Sequence, residues 1–132
     1  MAAIHLRKTD YETINQLLSD QYYKYAINSM SEINKDIMFD IYTDSKKLKI
    51  DKNIFKNINN IYYPKTNESA IEVFQNLSNY QNYVIANSSF SALAAYLSKH
   101  ENKTIFYPDP WFRESIIQLK GIPKNWNLVK NF

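Results

Sequence analysis

Apolar residues fall along this chain in two alternating rhythms: short β-type runs bounded by turn residues, and longer stretches with apolar positions at helical spacing. Ala2-Ala-Ile-His-Leu6 reads as a first strand. From Asp20 to Ile33, Tyr23, Ala26, Ile27, Met30 and Ile33 repeat as one face of a helix. Met38 to Thr43 reads as a second strand ended by Asp44-Ser45, Lys46 to Phe55 as a basic, partly helical connector, and Ile58 to Tyr62 as a brief strand. After a turn at Pro64-Lys-Thr-Asn67, Ala70, Ile71, Phe74 and Leu77 mark a helix face. Tyr83 to Ala86 forms the next strand, Phe90 to Leu97 a helix, and Thr104 to Tyr107 another strand. Pro108-Asp-Pro-Trp111 then breaks the pattern before a short helix from Glu114 to Leu119, and Gly121 to Phe132 shows no periodicity. Strand–helix alternation along the whole length predicts a single α/β domain, a Rossmann-like parallel sheet flanked by helices.

In such sheets ligands sit in the crevice beyond the carboxyl ends of the strands. The polar groups expected there are His5 to Asp10, Asp44-Ser45, Asn87 to Ser91 and Asp109 to Trp111. The third set stands out, because Asn87-Ser-Ser-Phe-Ser91 opens a helix directly after a buried strand. A helix start offers unpaired amides and the positive end of the helix dipole, a combination that suits a phosphate. Ordinary N-capping uses the same residues without any ligand, so this spacing leaves both readings open. In the first set, alternation along a strand sends His5 and Arg7 to one side and Leu6 to the other. Arg7 presents a charged planar fork matched to phosphate oxygens, His5 can donate beside it, and Asp10 is placed to orient the arginine.

Composition narrows the chemistry. The 132 residues suffice for one buried core, and a net charge of +3 with interspersed signs gives no nucleic-acid patch. Cysteine is absent, which excludes thiol nucleophiles and Cys-based zinc sites, and two distant histidines, His5 and His100, offer no metal-ligand spacing. A single glycine, Gly121, rules out Gly-rich phosphate loops, so any phosphate must be held by a helix start, hydroxyls and basic side chains. No run reaches membrane-spanning length and no secretion signal is evident, which predicts a cytoplasmic location. Tyr22, Tyr23 and Tyr25, with Trp111 and Trp126, are expected to pack into the core.

Two of these segments resemble one family, the GDP-fucose-dependent alpha-1,2-fucosyltransferases of glycosyltransferase family 11. Ile4-His-Leu-Arg-Lys-Thr-Asp-Tyr11 is similar to its His-x-Arg-Arg-Gly-Asp-Tyr motif, and Val84 to Leu97 to its Ile-Ile-Ala-Asn-Ser-Ser-Phe-Ser signature. Tyr22 to Ile27, Phe39 to Asp44, Pro108 to Phe112 and Ile122 to Trp126 resemble four further family elements in the same order. The resemblance implies the C-terminal, donor-binding domain of a GT-B glycosyltransferase. That enzyme transfers fucose from GDP-fucose to a galactoside hydroxyl with inversion, without metal or other cofactor. It implies Arg7 and His5 as the catalytic groups at the departing diphosphate. Donor contacts would come from Arg7, Lys8, Asp44, Asn87, Ser88, Ser89, Phe90 and Ser91. Departures from the family pattern are Lys8 and Thr9 in place of Arg-Gly, and Ala92-Leu93 in place of paired tryptophans. Because the match starts close to the basic motif, the expectation is that the family's N-terminal, acceptor-binding half is missing or separate. On that expectation the chain alone binds GDP-fucose more readily than it transfers fucose and is inactive without the other half, and the alternatives are a non-catalytic nucleotide-sugar module or a decayed fragment.

Overall fold

A computed structural model of the 132-residue chain describes residues 1–9, 17–112 and 120–131. Its elements are β1 (Ala2–Leu6), α1 (Asp20–Ile33), β2 (Phe39–Thr43), β3 (Ile58–Tyr62), α2 (Ala70–Leu77), β4 (Asn82–Val84), α3 (Ser89–Leu97), β5 (Thr104–Asp109) and β6 (Asn127–Lys130). The strands form one six-stranded sheet in the order β3-β2-β1-β4-β5-β6, with every pair parallel. Chain direction across the sheet therefore reverses between β1 and β4, opening a crevice at their carboxyl ends.

Both faces of the sheet are covered, so β1 and β2 are buried at every position rather than alternately. Ala2, Ile4 and Leu6 pack with α1 in one core layer, while Ala3, Tyr83, Ile85 and Ile105 pack with α2 and α3 in the other. Helix α1 starts at Ser19, whose hydroxyl accepts from the Tyr22 amide at 3.2 Å. Its buried tyrosines tie it to the strand ends: the Tyr22 hydroxyl donates to the carbonyls of Ile85 and Phe106, and the Tyr23 hydroxyl to that of His5. At the end of α3, the Lys103 ammonium donates to the Ala95, Tyr96 and Ser98 carbonyls, which have no partner within the helix.

Several expectations are corrected. Tyr25 and Ile71 point to solvent, at 60% and 68% exposure, because each sits off the narrow apolar stripe of its helix, whereas Ile33, on the stripe of α1, is 68% exposed as the last residue of that helix. Lys46 to Phe55 is irregular apart from one turn closed by the Phe55 amide on the Asp51 carbonyl. Leu48 and Ile50, two residues apart, pack against the core as an extended segment does. Strand β5 runs on through Pro108 to Asp109, and the aperiodic tail contributes β6, an edge strand with Val129 as its sole buried residue. The helix expected over Glu114 to Leu119 lies outside the described residues. Among the described residues, no helix is long and apolar enough to cross a membrane.

Candidate functional site

Parallel pairing sets His5 beside Tyr42 and Leu6 beside Thr43, so the ends of β1 and β2 lie side by side. Alternation sends His5 and Arg7 into one cleft on the α2–α3 side, while Leu6 enters the opposite core. Asp44, the residue after β2, reaches across to the segment that follows β1. Its Oδ1 accepts from the Lys8 amide at 2.7 Å and its Oδ2 from the Thr9 hydroxyl at 2.7 Å. Oδ2 also lies 3.6 Å from the Arg7 Nε. Burial acts to raise the Asp44 carboxyl, but these hydrogen bonds and the Arg7 charge outweigh it and hold the group below the usual carboxylate range. Asp44 is thus committed to shaping the loop that carries Arg7. Asp10 lies outside the described residues.

His5 is 7% exposed, and its Nδ1 is buried with no hydrogen-bond partner among the described residues. Burial, followed by the Arg7 charge, lowers His5 from 6.5 to about 4 against an opposing pull from Asp44. The imidazole is therefore neutral near pH 7, with one nitrogen able to donate and the other to accept. A buried polar atom left without a partner beside a charged fork marks a place built for something more than packing.

The β4–α3 turn is arranged differently. Ser88 is the N-cap of α3, its Oγ accepting from the Phe90 amide at 3.3 Å. Ser91 is fully buried, and its Oγ accepts from the Ala86 amide at 3.2 Å. The Asn87 Nδ2 donates to the Trp111 carbonyl at 3.0 Å, pinning the turn to the end of β5. These side chains hold the helix mouth in shape. Phe90 faces the cleft, its ring 6.0 Å from that of His5. Ser89 is exposed and lines a separate groove with Leu93 and Trp126. Trp111 is buried, as expected for core packing, whereas Trp126 is half-buried against that core.

The cleft has a volume of ≈ 310 Å³. Besides His5, Arg7, Asp44 and Phe90 it is walled by Tyr42, Tyr62, Tyr63 and Glu68. Tyr62 stacks on Tyr42 with centroids 4.8 Å apart. Tyr62, Tyr63 and Glu68 escaped the sequence reading, although the same strand-end rule applied to β3 would have pointed to the two tyrosines. Asp109 and Trp111, expected near the site, do not line the cleft. Among the described residues, no group of three or more His, Asp or Glu side chains is placed to hold a metal ion.

The chain is 27% identical over 135 aligned residues to the alpha-1,2-colitosyltransferase of Escherichia coli, covering 94% of this chain and 46% of that protein. It is 30% identical over 119 residues to the O-antigen biosynthesis glycosyltransferase WbnK of Escherichia coli, covering 83% of this chain and 38% of that protein. The chain thus spans less than half the length of these curated relatives. No solved structure matches it significantly. The model of glycosyl transferase family 11 matches residues 1–128, and the chain therefore belongs to glycosyltransferase family 11.

Proposed function

We propose that this chain is the donor-binding unit of an inverting, metal-independent alpha-1,2-fucosyltransferase that takes fucose from GDP-fucose to a galactoside hydroxyl. The observation that carries the reading is the buried His5, with an unsatisfied ring nitrogen, beside Arg7 in a cleft over the carboxyl ends of β1, β2 and β3. In the reaction the acceptor oxygen bonds to the fucose anomeric carbon as the bond from that carbon to the diphosphate breaks. The acceptor proton passes to a general base, and negative charge grows on the departing GDP. A guanidinium already fixed by Asp44 meets that charge without reorganising, the kind of preorganised electrostatic stabilisation that lowers a barrier. His5, held neutral, donates a hydrogen bond to the same phosphate without adding a second buried cation. Amides at the start of α3 add their dipole, with Ser88, Ser91 and Asn87 keeping that mouth open rather than touching the ligand.

Transfer requires an acceptor-binding portion, which the longer relatives have room for, carried on the same polypeptide or a second one. The site works in the cytoplasm, on the donor side of glycan assembly. A specific observation favours one further reading: the relative named for colitosyl transfer supports a donor sugar other than fucose on the same nucleotide site.

Thermal shift with GDP, GDP-fucose and ADP tests the binding claim. GDP should raise the melting temperature of the wild-type chain and leave Arg7→Ala unchanged. An unshifted wild type at millimolar GDP would sink the proposal. Mixing with an acceptor-binding half and following GDP release from GDP-fucose separates an enzyme from a mere binding module.

A further inference from the structure

The cleft has an end that phosphate binding does not use. Two strands across the sheet from Arg7 it is lined by Tyr62, the last residue of β3, by Tyr63 after it, and by Glu68, which precedes α2. Tyr62 and Tyr63 keep 37% and 38% of their surface exposed, and Tyr62 is backed by the stacked ring of Tyr42. Rings held at a cleft wall by packing behind them offer a π-face for a planar heterocycle at little entropic cost. Two carboxylates line the same cleft. Asp44 is occupied by Lys8, Thr9 and Arg7. Glu68 is half-buried, and its carboxylate accepts no hydrogen bond from a described residue.

We propose that Glu68 is the residue that selects the nucleobase, accepting from guanine while Tyr62 and Tyr63 stack against the ring. Guanine presents its N1–H and 2-amino group side by side, two donors spaced for the two oxygens of one carboxylate. Adenine presents an unprotonated N1 at that edge, an acceptor turned toward a negative charge. A polar group placed to pair with one base leaves itself unpaired with the other, and that difference is what discriminates. Glu68 is thus a specificity residue at the far end of the cleft, separate from the leaving-group chemistry. The inference rests on the donor-binding reading of the site.

Calorimetric titration of the full chain with GDP, IDP and ADP tests it, using wild type, Glu68→Gln and Arg7→Ala. Wild type should prefer GDP over ADP by about ten- to hundredfold, with IDP between them because it lacks the 2-amino donor. Glu68→Gln should bring GDP within about threefold of ADP while leaving ADP affinity, the internal control for folding, unchanged. Arg7→Ala should weaken all three nucleotides together. If Glu68→Gln keeps the preference for GDP, or weakens GDP and ADP equally, base selection by Glu68 is overturned and the phosphate site stands. If the wild-type chain binds none of the three, both readings are overturned.

Discussion

The basic end of β1 and the serine-rich mouth of α3 look alike as phosphate sites in the sequence, yet the structure uses their polar atoms in opposite ways. At the α3 mouth, Asn87, Ser88 and Ser91 spend their side chains on the Trp111 carbonyl and on the turn's own amides. At the end of β1, Asp44 holds the Lys8 amide and the Thr9 hydroxyl and lies against Arg7, and Arg7 and His5 line the cleft. One cluster spends its own side chains on its scaffold, while the other takes its hydrogen bonds from Asp44, the residue after the neighbouring strand.

The largest expected effect breaks the comparison at the basic end. Arg7→Ala should weaken GDP binding by ~3 kcal/mol, roughly hundredfold, since it removes a charge-assisted pairing from a partly buried site. Arg7→Lys should recover only part of it, because a lysine keeps the charge and loses the fork. Calorimetry on both variants checks this, and GDP affinity that survives Arg7→Ala would move the phosphate site to the α3 mouth.

An effect of similar size follows from His5. Its ring titrates at 6.5 when unfolded and at about 4 in the native chain. Between those values the unfolded chain carries a proton that the native chain does not, so stability rises with pH across that window. The full contribution is present above pH 6.5 and is lost progressively toward pH 4, amounting to roughly 3 kcal/mol. Asp44, whose carboxyl is lowered from 3.8, adds its own loss only below that window. Urea midpoints measured from pH 7.5 down to 4.5 should fall for wild type and flatten for His5→Gln. Equal slopes for the two chains would show that His5 is not the group responsible.

At the α3 mouth the expected cost falls on folding. Ser91→Ala removes a hydroxyl that pairs with the Ala86 amide at a fully buried position. It should destabilise the chain by about 1–3 kcal/mol with GDP affinity of the folded fraction unchanged. Chemical denaturation together with titration checks the two halves of that statement.

Which parts of this were legible beforehand follows from physical range. β1, α1 and β3 have their observed bounds in the sequence, because apolar spacing and turn residues act within a few positions. The side on which His5, Leu6 and Arg7 project followed from strand alternation alone. β6 was invisible, since an edge strand with Val129 as its buried residue has no pattern to show and is defined by its pairing with β5. The division of labour between Arg7 and Asp44 was equally hidden: it depends on the β1–β2 register that brings Asp44 within 2.7 Å of the Lys8 amide, 36 positions away. Tyr62 and Tyr63 follow from the strand-end rule applied to β3, whereas Glu68, placed just before α2, reaches the cleft through tertiary packing.

The smallest effect sharpens the comparison most. Ser89 differs from its neighbours in being exposed and in lining the groove beside Trp126 instead of the Arg7 cleft. Ser89→Ala should shift stability by less than about 0.5 kcal/mol, as substitutions away from packed or hydrogen-bonded positions do. GDP affinity should change by less than about threefold if the helix contributes through its amides and dipole alone. A tenfold loss would instead mean that the hydroxyl reaches the diphosphate held by Arg7, so that the two strand ends share one ligand as equals. Measured beside Ser91→Ala, which alters the same turn from within, the Ser89 result separates a mouth that touches the nucleotide from one that only faces it.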